Sequence, residues 1–170
     1  MSEPRIYVNL KRDHDLHRDL LKRIAESQNG ERATLFEQLR LEIAAHAAAE
    51  EESLYATMLG NPDLRDEARH SVAEHKEVAD HLAELSRLEI GSPIWKDKFA
   101  HMRHRYEHHI EEEEEEMFPA AEAILPAQVG IAEHGRIERF LFGGGVGGDF
   151  ETQLLEQGRA LAVLAFRDPL

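Results

Sequence analysis

The chain contains no cysteine, which excludes disulfides, thiolate zinc sites and iron–sulfur clusters together. Aromatic residues are scarce, 6% of 170 positions, so its core must be mostly aliphatic. No apolar run approaches the roughly 20 residues of a membrane-spanning helix. Positive charge is short as well: 20 Lys and Arg stand against 34 Asp and Glu, a formal net charge of -14. Such a field repels phosphate backbones and anionic bilayers, so neither nucleic acid nor a membrane is an expected partner. The stretch 1–15 is polar and charged, without the apolar segment of a secretion signal, and a cytoplasmic location is the expectation. What the chain has in excess is histidine, 11 residues of 170, and imidazole is the commonest metal ligand.

With 42% hydrophobic residues, one domain of ordinary size can bury a real core. No strand-like alternation persists, and the pattern predicts helices over 9–28, 32–58, 62–88 and 93–117. Asn29-Gly30, Gly60-Asn61-Pro62 and Gly91-Ser92-Pro93 separate them, and Pro93 suits a first helical turn. Four long helices joined by short loops make an all-α, up-down-up-down antiparallel four-helix bundle. We assign residues 1–125 to this bundle and 126–170 to a C-terminal extension, with a glycine-rich linker at 143–148 and a terminal helix over 149–167. That last helix is apolar across 160–166. It should dock either on the bundle or on a second subunit, so a homodimer built through it is one candidate assembly.

Steps of three and four residues place a stripe on one face of each helix. The stripes are Phe36, Leu39, Ile43, His46, Glu50 and Leu54 in the second helix, and Ala68, Val72, His75, Val78, Leu82 and Leu85 in the third. In the fourth the stripe is Trp95, Phe99, Met102, Tyr106, His109, Glu113 and Met117, and in the first His14 shares a face with Leu21 and Ile24. Every helix thus points one histidine inward, and two add a glutamate one turn on. A shift of 63 residues lays His46 and Glu50 on His109 and Glu113; a shift of 61 lays Asp13-His14 on Glu74-His75. Two equivalent halves imply two equivalent metal positions. His and Glu at i and i+4 can grip one ion, while the second carboxylate oxygen reaches another. An ionised glutamate in an apolar core is costly unless a cation compensates it. Iron, manganese and zinc all suit imidazole and carboxylate donors.

The other seven histidines read as surface or supporting residues. His70 and His104 fall about 140° off the stripes and His81 about 120°, whereas His17 is only about 60° from His14. Within Glu111–Glu116, only Glu113 is in register with the stripe; Glu112 and Glu114 read as surface charges. Tyr106, one turn before His109, is placed to donate a hydrogen bond to a bound ligand or to be oxidised; the alternative is a core tyrosine that finds any partner.

The set H…H-x-x-x-E…H…H-x-x-x-E, carried by His14, His46-Ala-Ala-Ala-Glu50, His75 and His109 with Glu113, resembles the hemerythrin-like HHE cation-binding family over about residues 8–125. The resemblance implies two iron ions, oxo- or hydroxo-bridged, with His14, His46, Glu50, His75, His109 and Glu113 as ligands. It also implies a small-molecule partner: O2, nitric oxide or peroxide. Oxygen-carrying hemerythrins have a second histidine on the third helix, where this chain has Ser71 and Ala79, and a fourth-helix step of five rather than four. The implied function is binding or sensing of O2 or nitric oxide, with a diiron oxidase, peroxidase or catalase-like enzyme as the alternative. The paired E-x-x-H motifs of ferritin-like proteins have only Glu67-Ala-Arg-His70 as a counterpart, off the core stripe.

Overall fold

The computed structural model describes residues 5–125. The expected C-terminal extension over 126–170, with its predicted linker and terminal helix, lies outside the described residues. Within them the chain is an antiparallel four-helix bundle. Its first helix is α1 (Arg5–Glu26). The second is α2 (Asn29–Glu50), which continues through a π turn (Glu51–Tyr55) into α3 (Ala56–Leu59). The third is α4 (Arg65–Leu85). The fourth is α5 (Pro93–Glu112), which passes through a second π turn (Glu113–Met117) into α6 (Phe118–Ile124). Helix α1 packs on α2 and α5, and α4 packs on α5 and α2.

Two boundaries differ from expectation for identifiable reasons. Asn29-Gly30 begins α2 rather than ending α1. The end of α1 is closed instead by a side chain: buried Arg32 donates from Nε to the Ile24 carbonyl at 3.1 Å and from Nη2 to the Ser27 carbonyl. The guanidinium does the work that a left-handed glycine does at other helix ends. At the fourth helix, Pro119 does not stop the chain, which stays helical to Ile124. The wider π turn just before it gives the proline ring room that a regular α-turn would deny. Pro93 behaves as read and fills the first turn, and the structure adds a cap, the Ser92 hydroxyl accepting from the Trp95 N–H at 3.2 Å.

Every residue of the four predicted stripes is buried. The apolar core is nonetheless in two pieces. One cluster gathers Leu21, Ile24, Leu39, Leu82, Trp95 and Met102, among others, at the end where α1 turns into α2. The other gathers Tyr7, Leu10, Tyr55, Met58, Leu64 and Phe118 at the opposite end. Between them runs a buried polar layer, and the candidate site is that layer.

Candidate metal centre

Each of the four bundle helices delivers a histidine to the layer's donor set. His14, His46, His75 and His109 have relative exposures of 0%, 5%, 8% and 1%, and Glu50 and Glu113 of 0% and 1%. Their donor atoms form two overlapping groups: His14, His46, Glu50 and Glu113, then His75, His109 and Glu113, with the atoms of each group within 4.8 Å of one another. Glu113 belongs to both. Its Oε2 lies 3.2 Å from His14 Nε2 and its Oε1 lies 3.2 Å from His109 Nε2. Glu50 also spans the halves, its Oε2 being 3.3 Å from both His46 Nε2 and His75 Nε2. The structure therefore brings together all six residues singled out from the sequence.

The donor set fits cations. Glu50 Oε1, His75 Nε2, His109 Nε2 and Glu113 Oε2 are buried without a hydrogen-bond partner among the described residues, a state that buried polar atoms rarely keep. His14 Nε2 and His46 Nε2 face each other at 2.8 Å, which two imidazole nitrogens tolerate only with a proton or a cation to share. Two donors bound at about 2.1 Å and at right angles on one ion stand about 3.0 Å apart. The 2.8 Å and 3.2–3.3 Å separations here are of that size.

Behind the donors runs a closed ring of carboxylates. In three of the four cases a carboxylate of one helix hydrogen-bonds the histidine of the next, while the fourth pair is too far apart to do so. Asp13 of α1 stands 3.8 Å from His46 Nδ1. Glu51, at the start of the first π turn, takes His75 Nδ1 at 3.0 Å. Glu74 of α4 takes His109 Nδ1 at 2.9 Å, and Glu114 of the second π turn takes His14 Nδ1 at 2.8 Å. All four imidazoles thus turn Nε2 inward, and a carboxylate behind a ligating ring fixes its tautomer and raises its basicity. Glu114 is no ordinary surface charge, since it also binds Arg18 Nη2 at 2.9 Å.

Two further residues enter the layer. His17 is fully buried, and its Nδ1 meets the Tyr106 hydroxyl at 2.8 Å. Tyr106 thus spends its hydroxyl on His17, which in turn stands beside His46 with ring centroids 5.1 Å apart. Tyr55 was not apparent from the stripes; its hydroxyl donates to Glu113 Oε1 and lies 3.5 Å from Glu50 Oε2. His70 and His104 are exposed, as their angles predicted, as are His101 and His108, while His81 is half-buried.

Without cations, burial opposes charge on His46 and His109, but Glu50 beside the first and Glu113 beside the second outweigh it. Each is raised to about 10. Burial and the adjacent Glu50 push the Glu113 carboxyl up, yet His109 and His14 bring it down to about 2. His17 goes the other way: burial, then His46 and His14, lower it to about 2, so it stays neutral.

Comparison with known proteins agrees with this geometry. Residues 5–121 match the family described as Hemerythrin HHE cation binding domain. A Mycobacterium tuberculosis relative, "Uncharacterized protein Rv2633c", is 28% identical over 133 residues, 76% of this chain and 80% of the relative. A Mycobacterium bovis protein, also named as uncharacterized, matches to the same extent. Among solved structures, a Hemerythrin HHE cation binding domain-containing protein from Mycobacterium kansasii superposes with a TM-score of 0.68 at 28% identity. That match covers 94% of this chain and 98% of the other.

Proposed function

Because the chain belongs to the hemerythrin HHE cation-binding domain family, we propose that its core holds two iron ions and binds or senses a small diatomic ligand, O2 or nitric oxide, beside them. His14 and His46 serve one ion, His75 and His109 the other, and Glu50 and Glu113 lie between the two. One observation carries this reading: both carboxylates are buried and each reaches histidines of both halves. Bound iron would supply redox electrons and positions for an outside ligand, since two histidines and shared carboxylates leave each ion short of about six donors. The chain's own part is to hold three imidazoles in one tautomer through Glu51, Glu74 and Glu114, with Asp13 adding negative charge near His46. The two apolar clusters above and below keep bulk water from the layer. Tyr106 bears on a bound ligand through His17 rather than directly.

Protein from iron-replete cells should carry about two iron per chain, and azide or nitric oxide should change its visible spectrum. A single ion per chain, or a silent azide titration, overturns the proposal. The enzymatic alternative, an oxidase, peroxidase or catalase-like activity on O2 or hydrogen peroxide, is favoured by Tyr55, a buried hydroxyl set directly on Glu113. Stopped-flow mixing of the reduced protein with O2 and then with peroxide separates the two. A lasting adduct means binding, and rapid peroxide turnover means an enzyme.

A further inference from the structure

A second cluster of donors lies outside the core. His70 and Glu74, one turn apart on α4, meet Glu112 of α5, with one donor atom from each within 4.8 Å of the others. The His70 and Glu112 side chains are 65% and 41% exposed, and Glu74 only 11%. These three residues line a cleft between α4 and α5 whose exposed edge carries Asp66, Glu67 and Glu116. Its innermost lining residue is Glu113, which is 1% exposed and whose Oε2, although 3.2 Å from His14 Nε2, makes no well-formed hydrogen bond. The same carboxylate that joins the two core donor groups therefore also faces this cleft. Glu74 makes the second link, since it holds His109 from behind while lining the cleft. The cation nearest the cluster is Arg105, 3.7 Å from Glu74, but its closer partner is Glu77 at 2.7 Å.

We propose that His70, Glu74 and Glu112 form an outer site for a divalent first-row metal ion, through which iron reaches the core along the α4–α5 cleft. The inference rests on the core being a metal centre. One imidazole and two carboxylates are a donor set for Fe2+, Mn2+ or Zn2+. Three donors, two of them on exposed side chains, hold an ion weakly enough to pass it on. The acidic edge concentrates cations at the mouth, and a carboxylate-lined path is the cheapest way for an ion to shed water while staying compensated.

The test uses the full chain, stripped of metal with a chelator, and a variant carrying His70→Ala and Glu112→Gln. Neither residue belongs to the core donor set; Glu74 is left in place because it orients His109. With limiting Fe2+ under anaerobic conditions, the variant should fill its core about tenfold more slowly than the parent chain, the scale at which local charge alters association. Its final core iron content and azide spectrum should match the parent's. An equilibrium titration with Co2+ should show one weak ion fewer in the variant. Equal filling rates, or equal Co2+ counts, overturn the outer site and leave the core proposal standing. A parent chain that takes up no core metal overturns both.

Discussion

Glu113 and Glu114 are neighbours in a run of six glutamates and have different duties. The first sends its two oxygens to opposite halves of the core; the second sits behind His14 and clamps Arg18. Three isosteric substitutions separate the roles. Glu113→Gln should lose metal. Glu114→Gln should keep both ions but weaken metal affinity about 10- to 100-fold, the usual cost of removing a carboxylate behind a ligating histidine. Glu112→Gln should leave the affinity and spectrum of the core site unchanged. Competition with a chromophoric chelator reads all three, and a metal-free Glu112→Gln beside a loaded Glu113→Gln would place the register one residue off. The sequence shows Glu113 plainly, because helical arithmetic from His109 reaches it. It shows Glu114 poorly, because that residue's partner is on another helix. A trace is there all the same: Asp13, Glu51, Glu74 and Glu114 each adjoin a core histidine or glutamate in the chain, and the repeat that lays Asp13-His14 on Glu74-His75 already contained half of the ring.

At the scale of an element, the two π turns explain what the stripes missed. At about 100° per residue, Tyr55 falls about 140° away from Glu50. A turn closed by i→i+5 hydrogen bonds carries the residue five places on back toward the same face. Tyr55 consequently arrives over Glu50 and Glu113, and Phe118 stands in the matching place after Glu113, stacked on His14 with ring centroids 5.9 Å apart. No local sequence preference marks a π turn, so regular periodicity cannot find these residues. The end of α1 is a second case, closed by a side chain from the next helix. Arg32→Met should leave the last α1 carbonyls unsatisfied and cost about 1–3 kcal/mol. The melting temperature should fall while iron content holds, because Arg32 lies with the far apolar cluster and not in the metal layer. A loss of metal in that variant would mean that the α1 terminus positions His14.

For the molecule as a whole, protons and cations compete for one layer. His46 and His109 are raised to about 10 in the metal-free chain, so their contribution to stability is complete below about 6.5 and disappears as pH climbs through about 10. Glu113 is lowered to about 2, so its contribution is complete above about 4.5 and disappears as pH falls toward 2. His17, lowered to about 2, acts the other way, costing stability as pH falls below about 6.5. The metal-free chain should therefore melt highest near about pH 6.5 and weaken on both the acid and the alkaline side. Near pH 7 both imidazoles carry an extra proton that an incoming ion must displace. Loading unbuffered protein with Fe2+ should acidify the solution, as a pH-indicator dye reports. Uptake without proton release would show that the histidines are already neutral before metal arrives.

The division of the apolar core into two clusters bears on how the chain opens. Ordinary bundles of this size share one continuous interior and come apart as a unit, whereas here, among the described residues, the side chains between the two apolar ends form a polar and charged layer. With the cations bound, that layer ties four helices across the middle. Without them, the two ends become separate cooperative units with their own opening free energies. Amide hydrogen exchange should show this directly. In the loaded protein, the most protected amides of α1, α2, α4 and α5 should exchange at one common slow rate. After chelation, those flanking Tyr7, Met58, Leu64 and Phe118 should exchange faster than those flanking Ile24, Leu39, Leu82 and Met102, because the first end leans on short helical segments and the second on unbroken ones. The metal would then be the rivet that makes two half-cores fold as one.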